Sequence, residues 1–188
     1  LNDVIGPDEY HERVNDNAFT NYMAYYACKI TLKYLLKFEK NSPLIKEIED
    51  FTNKLYLPQP NDQKIIEQFS NYFNLEDTSV EIVRSRLKFK NEYWGTENGV
   101  AYPTRVIKQA DVVALISLFR DYFSFDIKKA NYDFYYPYTE HGSSLSSSMY
   151  GILGFTIKEY KTAYEMFLKS SSIDLGTDQK MFAGGIYI

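Results

Sequence analysis

"NDNAFTNYMAYYACKITLKYLLKF", residues 15–38, sets the fold class. Phe19, Tyr22, Met23, Tyr26, Ala27, Ile30, Tyr34 and Phe38 recur at spacings of three and four, the period of one helix face, and are expected inward. Lys29, Lys33, Lys37 and Lys40 fall on another face and read as solvated. "NDN" at 15–17 offers the N-cap. Ser42-Pro43 opens a second helix with Leu44, Ile45, Ile48, Phe51 and Leu55 on its inner side, and "LPQPND" (57–62) ends it. Further helices are expected near 62–72 and 78–87. A loop follows at "YWGTENGVAYPT" (93–104), then an apolar helix capped by Thr104 and running to about Phe123. "NYDFYYPYTEHG" (131–142) reads as irregular, and helices near 143–158 and 160–171 complete the set. Strand alternation is confined to a short run at 181–188. Helices in sequential pairs predict an all-α fold of antiparallel helical hairpins, a toroid or bundle.

The 188 residues suffice for one domain with a real core. With 18 tyrosines and 13 phenylalanines, an aromatic-lined cleft is expected and disorder is not. The net charge of −4 supplies no basic field for nucleic acid. A single cysteine, Cys28, excludes an internal disulfide and reads as inert core in a reducing, cytoplasmic compartment. Two histidines and one cysteine give no metal cluster, and no apolar run reaches membrane-spanning length. The chain begins at Leu1 inside a motif and closes on the apolar "MFAGGIYI" (181–188). It therefore reads as a segment of a longer protein, the alternative being a complete domain trimmed at its ends.

Three stretches carry candidate chemistry. In "VIGPDEYHERVNDN" (4–17), Glu9 lies between a Gly6-Pro7 turn and the first long helix. It is either a carboxyl group poised for acid–base work or a first-turn anion favoured by the helix dipole, with His11 and Glu12 as local partners. In "RVIKQADVV" (105–113), Lys108 falls where a helix is expected to begin. A cation there opposes the dipole, which suits a bound anion, while a lysine reaching to water is the alternative; Gln109 beside it is a neutral donor. In "YTEHGSSLSSSMY" (138–150), Gly142 allows close approach, Ser143 and Ser144 present hydroxyls and N–H groups at a helix start, and His141 adds a donor. That is an oxyanion or phosphate recipe, or an ordinary serine cap beside a packed histidine. One acid with one anion site fits phosphorolysis: an inverting hydrolase needs a second carboxylate to activate water, whereas phosphate is already a nucleophile.

"GPDEYHERVNDNAFTNYMA" (6–24), "EYWG" (92–95), "VIKQADVV" (106–113), "YYPYTEHGSSLSSSMYGIL" (135–153) and "FLKSSSIDLG" (167–176), in this order, closely resemble glycoside hydrolase family 65, most of all its disaccharide phosphorylases. The resemblance implies that residues 1–188 are the C-terminal part of an (α/α)6 toroidal catalytic domain, with a β-sandwich, early toroid helices and a C-terminal domain lying outside the chain. It implies inverting phosphorolysis of an α-glucosyl disaccharide to β-glucose 1-phosphate and a free sugar. The family's general acid lands on Glu9, its sugar-contacting Lys-Gln pair on Lys108 and Gln109, and its phosphate loop on His141, Gly142, Ser143 and Ser144. Inorganic phosphate is the co-substrate, with no other cofactor, no metal and no nucleic-acid or membrane partner, and the parent enzyme is expected to be a homodimer. The family's Trp-Asp pair for the glucosyl unit has no match here, so these residues alone are expected to be inactive and prone to aggregate. The competing readings are a hydrolase of the same family and a non-catalytic carbohydrate-binding or structural helical segment.

Overall fold

The structure, a computed structural model, describes residues 1–89, 91–173 and 175. Its regular elements are helices: α1 (Ala18–Phe38), α2 (Leu44–Lys54), α3 (Val80–Ser85), α4 (Val112–Leu118), α5 (Phe125–Tyr135), α6 (Ser144–Thr156) and α7 (Tyr160–Ser171), with 3-10 turns at Tyr72–Asn74 and Tyr136–Tyr138. Only isolated bridges, such as Val4 with Val14, stand in for strands among the described residues. The expected strand at 181–188 lies outside them. No described helix is long and apolar enough to cross a membrane. Short connections fold α1 back on α2 and α6 on α7, so the all-α, helical-hairpin reading holds.

The capping chemistry is as expected at the first helix, where the Asn17 side chain accepts from the Thr20 N–H at 2.8 Å. The buried face of α1 is not. Ala18, Asn21 and Leu32 are buried, while Tyr34 and Phe38 are 57% and 68% exposed. Helix α2 has no fully buried residue, and Leu44 and Phe51 are exposed. Cys28 is half-buried rather than core. The molecule's centre is α4, where Val112, Val113, Leu115 and Ile116 are completely enclosed against α1, α5 and α6. Tyr72, Tyr135 and Tyr150 are buried with them. A second cluster, Tyr10, Val80, Val83, Trp94, Ala101 and Val106, lies under the loop that carries Glu9.

The expected helix at 62–72 is replaced by irregular chain and the one expected from Thr104 begins late, because side chains and other segments take their backbone donors. Across 61–70, the Ile65 N–H goes to Asn61 Oδ1 at 3.0 Å, the Ile66 N–H to Asn131 Oδ1 at 2.9 Å and the Ser70 N–H to the Asn15 carbonyl at 2.9 Å. Thr104 does not cap a helix; it is buried, donating to the Ala101 carbonyl at 2.8 Å and accepting from the Val106 N–H at 3.1 Å. Beyond it the Arg105 N–H reaches Glu76 O, Ile107 reaches Tyr138 O, Lys108 reaches Asp8 and Ala110 reaches Ser146. Hence α4 starts only at Val112, and residues 105–110 form a strut laced to four other segments. The stretch 131–142 is more regular than expected, since α5 runs through Tyr135.

Candidate active site

Glu9 sits on a loop closed by paired hydrogen bonds between Val4 and Val14, each at 2.9 Å. The Tyr93 hydroxyl donates to the Glu9 carbonyl at 2.8 Å, and Tyr10 stacks on Trp94 with ring centroids 5.7 Å apart. Gly95 explains the glycine of "EYWG": a Cβ there would lie 2.9 Å from both the Glu9 carbonyl oxygen and the Tyr10 Cα, so only glycine lets the two loops meet. The Glu9 side chain is 47% exposed and ion-paired with the Lys108 ammonium. That ammonium also lies 5.7 Å above the Tyr93 ring.

The strut 105–110 delivers Lys108 and Gln109. Lys108 is not in a helix's first turn, so the argument from a cation opposing a helix dipole does not apply to it. Gln109 is buried, and its amide donates to the Pro7 carbonyl, which fixes the Gly-Pro turn in front of Glu9. The third stretch is docked on the same strut. The Glu140 N–H donates to Ile107 O at 2.8 Å and the Gly142 N–H to Lys108 O at 3.0 Å. Lys108 therefore faces Glu9 with its side chain and holds the "HGSS" turn with its carbonyl. All three predicted stretches converge on one residue.

In that turn, His141 rather than Gly142 takes the left-handed conformation, with φ 56°. The space left by the missing side chain at Gly142 is taken by the Glu140 carboxylate, so close approach of a ligand is not what the glycine serves here. Ser143 caps α6 by accepting from the Leu145 N–H at 3.4 Å, and Ser144 is the first residue of the helix. His141 Nδ1 lies 2.9 Å from Ser146 Oγ, which already accepts the Ala110 N–H at 3.2 Å. Ser146 Oγ can donate to Nδ1 in the tautomer that carries its proton on Nε2, and His141 Nε2 is buried without a partner among the described residues. Burial, with Lys169 adding to it, pushes the His141 pKa down to about 4, so at neutral pH this is an uncharged donor. Ser147 Oγ is a second buried polar atom without a partner.

Residues beyond the expected set complete the surroundings. Glu140 accepts from the Tyr10 hydroxyl at 3.2 Å and faces Arg84 at 3.6 Å, and Arg84 lies 5.4 Å above Trp94. Asp8 and Asp111 are buried beneath Glu9 with His11. Burial, then the neighbouring Asp8 carboxylate, pushes the Asp111 pKa up to about 7. Burial works to lower that of His11, but the Asp8 carboxylate outweighs it and the net shift is upward. Carboxyl groups spaced as Asp8 and Asp111 are in sequence give no sign that they touch.

Helical hairpins whose connecting loops gather a carboxyl group, a lysine and a histidine–serine turn define an all-α domain with an acid–cation–hydroxyl site. The chain belongs to glycoside hydrolase family 65: the family described as glycosyl hydrolase family 65 central catalytic domain matches residues 1–188. It is 44% identical over 204 residues to the nigerose phosphorylase of Lachnoclostridium phytofermentans, a match that takes in all of this chain and 27% of that protein. It is 35% identical to the kojibiose phosphorylase of Caldanaerobacter subterraneus subsp. tengcongensis over all of this chain and 26% of that one. The 1,2-alpha-glucosylglycerol phosphorylase of Bacillus selenitireducens is 38% identical over 98% of the chain and 26% of its own length. A solved structure, a putative kojibiose phosphorylase from human microbiome, superposes with a TM-score of 0.80 at 26% identity, covering 93% of this chain and 24% of that one. The chain thus spans about a quarter of the length of these curated relatives, and the all-α hairpins are the arc of an (α/α)6 toroid that the sequence led one to expect.

Proposed function

We propose that these residues form part of a phosphorolytic catalytic domain, in which inorganic phosphate cleaves an α-glucosyl disaccharide with inversion to give β-glucose 1-phosphate and a free sugar. The observation that carries this reading is the double role of Lys108, which joins the Glu9 carboxyl group to the "HGSS" turn. The buried Nε2 of His141, without a partner among the described residues, supports an anion on that turn: in the tautomer protonated there, a buried donor without an acceptor costs roughly 1–3 kcal/mol unless a ligand supplies one. The relatives named above, each a phosphorylase, point the same way.

In this mechanism Glu9 leaves its ion pair with Lys108, takes up a proton as substrate and phosphate bind, and passes that proton to the glycosidic oxygen as the C1–O bond breaks. Phosphate, held by His141, Ser143, Ser144 and the Lys108 ammonium, attacks the anomeric carbon from the opposite face. Gln109 keeps the Pro7 turn in place and lies beside the sugar. The transition state has oxocarbenium character, which the nearby anion stabilises. Phosphate is a co-substrate, and the mechanism calls on no other small molecule.

The test is to incubate the full-length protein that carries these residues with a panel of α-linked glucose disaccharides, with and without inorganic phosphate, and to measure glucose and β-glucose 1-phosphate. Phosphate-dependent β-glucose 1-phosphate is expected, and Glu9→Gln should lower it by roughly 10²–10⁴-fold. Glucose release indifferent to phosphate would make the protein a hydrolase and remove the role given to His141, Ser143 and Ser144.

A further inference from the structure

Beneath Glu9 lies a charged cluster that the reaction as described does not use. Asp8 is 1% exposed and accepts four hydrogen bonds. Its Oδ1 takes the main-chain N–H of Tyr10 at 3.1 Å and that of Lys108 at 3.0 Å. Its Oδ2 takes the Gln68 amide at 3.0 Å and faces His11 Nδ1 at 2.6 Å. His11 Nε2 meets the Thr104 carbonyl at 2.9 Å, which can only accept, so both ring nitrogens carry protons and His11 is an imidazolium paired with Asp8. In return, the Asp8 N–H donates to Asp111 Oδ2 at 3.2 Å, and Asn17 donates to both Asp111 oxygens at 3.1 and 3.2 Å.

Buried ion pairs are seldom a source of net stability, because desolvation offsets the attraction. What this one supplies is geometry. The donors reaching Asp8 come from its own loop, from the 61–70 segment and from the strut, and the two N–H groups on Oδ1 belong to the residue after Glu9 and to Lys108 itself. One carboxylate therefore sets the backbone origins of both the acid and its cationic neighbour.

We propose that Asp8 is the positioning residue of the general acid: its four hydrogen bonds hold the loop bearing Glu9 at a fixed distance from the strut bearing Lys108. This rests on the reading of Glu9 as the acid and adds a residue to it. Misplacing an acid by about 1 Å costs on the order of 10²-fold in rate when proton transfer is needed, and little when it is not.

The experiment compares two substrates in the full-length protein with phosphate present. On a disaccharide, a phosphate oxygen bonds to C1 as the C1–O bond breaks, and the departing oxygen takes the proton of Glu9. On α-glucosyl fluoride, the C1–F bond breaks and fluoride leaves with the electron pair, so no proton from Glu9 is required. Asp8→Ala is expected to lower kcat on the disaccharide on the order of 10²-fold with KM nearly unchanged, while turnover of the fluoride falls by less than about tenfold. Asp8→Asn keeps an acceptor for the Tyr10 and Lys108 N–H groups, and its amide can donate to a neutral His11 and to Gln68 Oε1, which has no partner now. It is expected to retain most of the disaccharide activity. Asp8→Ser carries the same test as Asp8→Ala if the alanine variant is insoluble. Equal losses on the two substrates, or no loss on the disaccharide, would overturn the positioning role. A native protein that yields glucose 1-phosphate from neither substrate would overturn the phosphorolytic reading, and the positioning role with it, before any variant is compared.

Discussion

One buried carboxyl group, Asp111, and two histidines, His11 and His141, set the pH behaviour of this region. Asp111 and His11 both bind protons more tightly in the folded protein than in the unfolded chain. Their contribution to stability is whole below the unfolded values and is lost as pH rises, for Asp111 between 3.8 and about 7 and for His11 above 6.5. His141 runs the other way, its pKa being lowered from 6.5 to about 4, so its contribution is lost as pH falls through that window. Because the signs oppose, the informative quantity is a difference. The thermal midpoint of Asp111→Asn, plotted against that of the native protein from pH 4 to 8, should fall less steeply as pH rises. Parallel curves would show that Asp111 does not titrate in that range.

At the scale of elements, the helical pattern fails at 61–70, where the Asn131 side chain of α5 supplies bonds in place of helical ones. Asn131, buried on α5, accepts the Ile66 N–H at 2.9 Å and donates to the Lys64 and Ile127 carbonyls, each at 2.8 Å. Asn131→Ala leaves the Ile66 N–H and the Lys64 carbonyl without that partner and should cost roughly 1–3 kcal/mol. Amide exchange at Ile66 should quicken while that of the α6–α7 hairpin stays as it was. Unchanged protection at Ile66 would mean that something other than Asn131 holds the segment out of a helix. The 105–110 strut is built on the same principle, and it is the strut that gives Lys108 two neighbours to join.

Over the whole molecule, the core surrounds α4 while the outer hairpins show apolar side chains to solvent. Ile30, Tyr34 and Phe38 are exposed along one face of α1, as are Tyr164, Phe167 and Leu168 on α7. Contiguous faces of this kind mark surfaces that pack on something else, and the relatives are about four times as long as this chain. Residues 1–188 produced alone should therefore self-associate, with a sedimentation coefficient that climbs with concentration. A monodisperse monomer at high concentration would show that these faces are tolerated in water.

The all-α class, the hairpins at both ends and the Asn17 cap were determined by the sequence itself, since helical period and capping are local properties of neighbouring residues. So were the three stretches that the structure brings together, because Gly-Pro, Lys-Gln and His-Gly-Ser-Ser are short signals with a chemistry of their own. Only the tertiary structure decided that 61–70 and 105–110 are not helical, that Phe38 faces water, and that Gly142 makes room for Glu140. It alone brought Asp8, His11 and Asp111 together, residues separated by as many as 103 positions. Each of these outcomes depends on which distant group captures a backbone N–H or a buried charge, and local pattern carries no information about partners that only folding brings within reach.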